Sequence, residues 1–184
     1  MLRKEKTQKG IIMYEILISL CLMILVSGIV TVLLTYVFDS NERYSNNTIQ
    51  QGKISRAINL LRTDIEKSKT VTLVKDPSGN ITSVKIDFPD AKLPAVTELS
   101  KEWSFDTASN TLKYVKGTNT NTAVDGIMVK DAKSGANKSY FYYDGNKNLV
   151  LMITPVSLNK GKYDGVNIKN PIVTEYSLKY KEVK

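Results

Sequence analysis

Two periods divide the chain. From Ile11 to Phe38 nearly every position is apolar, interrupted only by Glu15, Ser19, Ser27, Gly28, Thr31 and Thr35. Hydroxyls in such a run can bond back to the helix's own carbonyls. About twenty apolar residues, at roughly 1.5 Å each, cross the ~30 Å hydrocarbon core of a bilayer, so the stretch predicts a membrane-length helix. From Asp39 to Lys69 there is no Pro and one Gly, Gly52, and the helix is expected to continue. Ile54, Ile58, Leu61 and Ile65 recur at steps of four, three and four, with Arg56, Arg62, Asp64, Glu66 and Lys67 between them. That is an amphipathic helix with one apolar face. Ser45-Asn46-Asn47-Thr48 and Gly52 are its weakest points, where a kink or break is expected.

From Thr70 the period falls to two and turn residues arrive at short intervals. Val71–Val74 and Ile81–Phe88 flank Asp76-Pro77-Ser78-Gly79-Asn80, and Trp103–Phe105 and Thr111–Val115 flank Asp106–Asn110. Each reads as strand, turn, strand. Pro89 and Pro94 bracket a loop, and the polar Lys116–Asp125 is read as another. Ile127–Lys130, Ser139–Tyr143 and Leu149–Ile153 predict a three-stranded meander, with turns at Ser134-Gly135 and Asp144-Gly145. A last strand is expected over Ile172–Tyr180, after the turn-rich Asn159–Pro171. A long helix followed only by strands predicts an α+β fold in which an antiparallel sheet lies across the amphipathic half of the helix. The chain accordingly divides into a short basic segment over 1–10, an apolar half-helix over 11–38, an amphipathic half-helix over 39–69 and a β region over 70–184.

Charge and cysteine usage narrow the chemistry. The formal net charge is +8 over 184 residues. Residues 1–10 supply +3 of it, four basic residues less Glu5, which leaves +5 spread over the remainder. Dispersed Lys at that level is what solubility requires, with an anionic partner such as DNA or a cell-wall polymer as the lesser reading. The single cysteine, Cys21, lies in the apolar run, so the β region can form no disulfide. With no His anywhere and no Cys beyond residue 21, catalytic His bases, thiol nucleophiles and His–Cys metal sites are excluded, and neither enzyme activity nor a cofactor is expected.

Glu15 needs an explanation, because an ionised carboxylate inside a spanning segment is costly and is a functional residue by default. A cleaved secretory signal has an apolar core of about 7–15 residues ending at small side chains. Here the apolar run continues well past the small pair Ser27-Gly28. A lipoprotein site would need a small residue before Cys21, where Leu20 stands. The order Arg3, Lys4, Lys6, Lys9, Gly10, Ile11, Glu15 and then an apolar helix instead resembles the N-terminus of type IV prepilins, the precursors of pilins and of secretion and competence pseudopilins. The chain has Gly-Ile-Ile-Met-Tyr-Glu where the family usually has Gly-Phe-Thr-Leu-x-Glu, and it lacks the Pro that many major pilins carry in mid-helix. The match covers about thirty residues, and its specificity lies in the Gly10 to Glu15 spacing within a span.

The resemblance implies a pilin-like fold. It further implies cleavage between Gly10 and Ile11 by a prepilin peptidase, methylation of the new Ile11 amine, and assembly in which Glu15 pairs a neighbour's N-terminal ammonium. Its partners would be other pilins or pseudopilins, the peptidase and the assembly platform protein. By the positive-inside rule the basic leader stays cytoplasmic and the rest lies outside, first membrane-anchored and then in an extracellular filament. A weak similarity of the anchor-plus-meander pattern to larger pseudopilins favours a minor subunit, and the absence of an ectodomain disulfide leans towards a Gram-positive source. The rivals are an uncleaved single-span binding protein and a DNA-uptake pseudopilin.

Three further constellations have plainer readings. Tyr140-Phe141-Tyr142-Tyr143, flanked by Lys138 and Lys147, could stack bases, but a hairpin strand with aromatic residues on both faces accounts for it. Asp144-Gly145-Asn146-Lys147-Asn148 spaces oxygens as a calcium loop does, yet Leu149 and Pro155 stand where an EF-hand needs Gly and an acid, and a type I′ turn fits better. Lys113, Lys116, Lys130, Lys133 and Lys138 near turns could attract DNA, and are also ordinary surface.

Overall fold

The computed structural model describes residues 2–89, 100–132, 134–159, 162–168 and 170–184, with side chains throughout except in 2–12 and 157–168. The fold is α+β: among the described residues, helix α1 (Leu2–Lys67) precedes eleven strands. Contacts divide the chain into two units, Met1–Ser45 and Asn46–Lys184. The helix passes through Asn46-Asn47-Thr48 and Gly52 without the expected break. An exposed helical Gly costs only about 0.5–1 kcal/mol relative to Ala, and the residues on either side of Gly52 are held: Gln50 donates to the carbonyl of Gly126, and Ile54 is buried.

In the second unit α1 buries Ile54, Ala57, Leu61 and Ile65. Ala57 takes the inward place, while Ile58 is only partly covered. Asp64, expected on the polar side, also faces inward and is 5 % exposed. The C-terminal carbonyls of a helix lack intrahelical partners. Here Ser68 donates to Ile65 O from both its N–H (3.1 Å) and its Oγ (2.6 Å), and Lys181 Nζ donates to the carbonyls of Glu66 (2.8 Å) and Ser68 (2.7 Å).

The strands are β1 (Thr70–Lys75), β2 (Ile81–Asp87), β3 (Ser100–Asp106), β4 (Thr111–Lys116), β5 (Asn119–Val124), β6 (Tyr140–Tyr143), β7 (Asn148–Ile153), β8 (Val156–Asn159), β9 (Lys162–Ile168), β10 (Ile172–Ser177) and β11 (Glu182–Val183). Nine form one sheet ordered β10-β7-β6-β2-β3-β4-β5, with β1 also on β2 and β11 on β1, while β8 and β9 form a separate hairpin. Every pair is antiparallel except β1 with β11, which runs parallel. Period-two burial carries the core: Val84 and Ile86, Leu149, Leu151 and Ile153, and Trp103, Leu112 and Phe141 meet the helix residues in one cluster.

Several expected elements differ. Lys116–Asp125 is not all loop but includes β5, an edge strand whose first four residues are exposed. Its ladder with β4 is made by the main chain, so it needs no apolar alternation. Ile127–Lys130 forms only isolated bridges, Ile127 with Pro155 and Lys130 with Asn137; the third strand of the meander is β10, paired along β7. Residues 162–168, read as turn-rich, form β9, and β8 and β11 were not foreseen. The segment bracketed by Pro89 and Pro94 lies largely outside the described residues, as does Lys133.

Three hairpin turns share one device, Asp-x-x-x-Asn. Asp76 accepts from the N–H groups of Ser78 (2.9 Å) and Asn80 (2.8 Å), Asp106 from those of Ala108 (2.9 Å) and Ser109 (3.3 Å), and Asp144 from those of Asn146 (2.8 Å) and Asn148 (3.0 Å). An Asp side chain that bonds the backbone two residues on closes a turn without help from the ladder. At the last of these, Asp144 N–H donates to Asn148 O across Gly145, Asn146 and Lys147, with φ +77° at Gly145 and +63° at Lys147. The loop is thus longer than the two-residue type I′ turn expected at Asp144-Gly145.

Candidate functional site

The site lies on the first unit, a helix whose large apolar side chains are exposed among the described residues. Its composition accounts for the helix: Leu, Ile, Val and Met dominate, and no Pro interrupts. From Met13 to Phe38 the large apolar side chains are between 42 and 73 % exposed. An apolar surface of this extent marks a lipid or protein contact, and the helix is long and apolar enough to cross a membrane. Thr31 Oγ1 donates to Ser27 O (2.8 Å) and Thr35 Oγ1 to Thr31 O (2.9 Å), so both hydroxyls are satisfied within the helix. A shallow apolar notch of about 410 Å³ lies at Gly28, walled by Ile24, Leu25, Ile29, Val32 and Leu33. A Cβ built on Gly28 meets nothing within 4 Å, so the glycine answers no packing need among the described residues. Helices in an apolar medium approach each other closely at such positions.

Glu15 stands on this surface among Met13, Tyr14, Ile16 and Leu17, all exposed. It has no ion-pair or hydrogen-bond partner among the described residues. Chemically it can accept from a cation, and within an apolar assembly it must, because an unpaired buried carboxylate is strongly disfavoured. Arg3, Lys4, Lys6, Lys9, Gly10 and Ile11 lie on the first turns of α1, where their side chains are outside the description.

The other candidates resolve into structure. Phe141 enters the core and packs tilted against Phe105 with ring centroids 5.0 Å apart, Tyr140 and Tyr143 are half-buried, and Tyr142 is exposed. The Asp144 carboxylate is turned onto its own loop, and Asn148 Nδ2 adds a bond to its second oxygen (3.0 Å). No group of three or more His, Cys, Asp and Glu could hold a metal ion among the described residues. Lys113 pairs with Asp106 rather than joining a free basic patch, and that ammonium, with the Ser109 hydroxyl and the N–H groups of the turn, holds the Asp106 carboxyl well below the usual range. Lys130 is exposed and Lys138 half-buried.

One polar cluster escaped the sequence. Lys101 Nζ reaches both carboxylate oxygens of Asp64 (2.7 and 2.8 Å), Trp103 Nε1 donates to Asp64 Oδ2 (3.1 Å), and the ammonium lies 5.1 Å from the Tyr114 ring. This group joins α1 to β3 and is structural. No protein-family model, curated protein or solved structure matches the chain.

Proposed function

We propose that this chain is a structural subunit, of the minor pilin or pseudopilin kind, of a type IV pilus or related secretion or competence filament. It has no catalytic role in this reading. The observation that carries it is Glu15: one carboxylate, five residues beyond Gly10, on an apolar helix face that is exposed among the described residues. A prepilin peptidase cuts between Gly10 and Ile11, and the Ile11 amine is methylated. Before assembly the apolar half-helix anchors the protein in the cell membrane, with residues 39–184 outside. On assembly it exchanges lipid for the helices of neighbouring subunits, and Glu15 neutralises a neighbour's N-terminal ammonium. The α+β architecture, with its amphipathic half-helix across an antiparallel sheet, is compatible with a pilin.

The test is the N-terminus of the protein in membrane and sheared-filament fractions of its native host, read by mass spectrometry. Chains beginning at N-methylated Ile11 are expected, and Gly10→Val should leave an uncut precursor. An N-terminus upstream of Gly10 in wild-type protein, or one after Gly28, overturns the reading and leaves an ordinary anchored surface protein.

A further inference from the structure

The sheet has a seam. β6 pairs with β7 over four residues but meets β2 at one pair, Ile81 with Phe141. β2 is otherwise flanked by β1 and β3, so the edge of β6 is open where the β1–β2 turn rises beside it. Two adjoining clefts of about 470 and 570 Å³ fill that opening, and both are lined by Ser78, Asn80, Asn137 and Tyr140. Tyr142 lines the first, with Lys75 at its rim. Side chains two apart on a strand share a face, which places Tyr140 and Tyr142 together and sends Phe141 to the core.

We propose that this seam binds an oligosaccharide. The exposed Tyr142 ring and the half-buried Tyr140 ring offer flat faces whose negative charge attracts the polarised C–H groups of a sugar ring. Around them stand donors and acceptors together: the side-chain amide of Asn137 and the hydroxyls of Ser78 and the tyrosines can do both, and the side-chain Oδ1 of Asn80 can accept while its Nδ2 donates to Asp76 (3.1 Å). A sugar hydroxyl also does both, so such a mixed set satisfies a polyol. The one acid of the lining, Asp76, is spent on its own turn. Lys75 and Lys130 have no ion-pair partner among the described residues, which suits a sugar carrying a carboxylate or phosphate. Single-stranded nucleic acid is the weaker fit, because a groove that tracks it needs a row of cations along successive phosphates, and two lysines in two clefts do not make one.

The experiment uses the full chain in detergent micelles, with amide ¹H–¹⁵N spectra recorded against cellotetraose, chitotetraose and trigalacturonic acid, and against an oligothymidylate. At least one sugar is expected to shift the amides of Gly79, Asn80, Asn137 and Tyr142, with a dissociation constant on the order of 0.1–1 mM. Tyr142→Ala removes an exposed ring, so it should leave the remaining spectrum in place and weaken binding about tenfold. Asn137→Ala should also weaken it, and Lys75→Gln should weaken the acidic sugar more than the neutral ones. The proposal is overturned by no shift with any sugar at about 10 mM, by shifts insensitive to both Tyr142→Ala and Asn137→Ala, or by the oligothymidylate occupying the seam in preference to every sugar.

Discussion

Asp64 tests the packing of α1 on the sheet through a single side chain. Replacing it by Ala strands the Lys101 ammonium and the Trp103 N–H in a region where both ion-pair side chains are about a tenth exposed or less (11 and 7 %). Removing one partner of a buried pair costs about 3–5 kcal/mol, whereas replacing both by apolar groups of similar volume is often near neutral. Asp64→Ala should therefore lower the urea midpoint severely, and Asp64→Leu with Lys101→Met should recover most of the loss. Equal damage from the double replacement would show that the pair does more than satisfy itself. This residue was misplaced by the helical pattern for a definite reason. Periodicity assigns Asp to the wet face by default, and the partners that permit it to turn inward sit 37 and 39 residues further on. Glu15 was legible because its oddity is local: a charge in an apolar run is visible without knowing what surrounds it.

For α1 as an element, the decisive variant is Glu15→Ala. If Glu15 pairs with a neighbour's ammonium, cleavage after Gly10 should persist while incorporation into sheared filaments falls well below the membrane pool, and Glu15→Lys, which sets like charges together, should do worse. Wild-type incorporation of Glu15→Ala, correctly cleaved, would remove the pairing role. Among the strands, those that bury one face were readable: β2 and β7 alternate buried with more open positions. β5 was not, because Asn119, Thr120, Asn121 and Thr122 present no buried face and are held by main-chain bonds to β4. β11 is two residues long, and no pattern can announce it. The seam beside β6 was equally hidden, since Tyr140–Tyr143 shows an aromatic strand but not that its β2 side is open.

At the scale of the whole molecule, stability should fall at both ends of the pH range. The Asn80 side-chain and backbone amides lower the Asp76 carboxyl, the Lys113 ammonium foremost lowers that of Asp106, and at Asp144 burial is the largest single effect and raises the carboxyl, but the Asn148 and Asn146 donors together outweigh it and the net shift is downward. A carboxyl lowered on folding stabilises above its ordinary value near 3.8 and loses that contribution as pH falls through the lowered one. Melting temperature should be level between about pH 7 and about pH 5 and drop below about pH 4, with Asp106→Asn flattening the drop. Burial, opposed by Arg62, raises the Tyr176 phenol above its ordinary 10.0, so its contribution is lost as pH climbs past about 10 and Tyr176→Phe should soften that limb. The pairing of β1 with β11 bears on the order of events in synthesis. Thr70 bonds Glu182 across 112 residues, and Leu73 N–H donates to Lys184 O. At about 5–20 residues per second, a ribosome delivers β1 roughly 6–22 s before its outer neighbour. Through that interval β1 carries an unpaired edge, the feature by which chains stick to one another. Residues 181–184 therefore act as a clasp that shuts long after both of its partners are made, holding the end of α1 and the first strand.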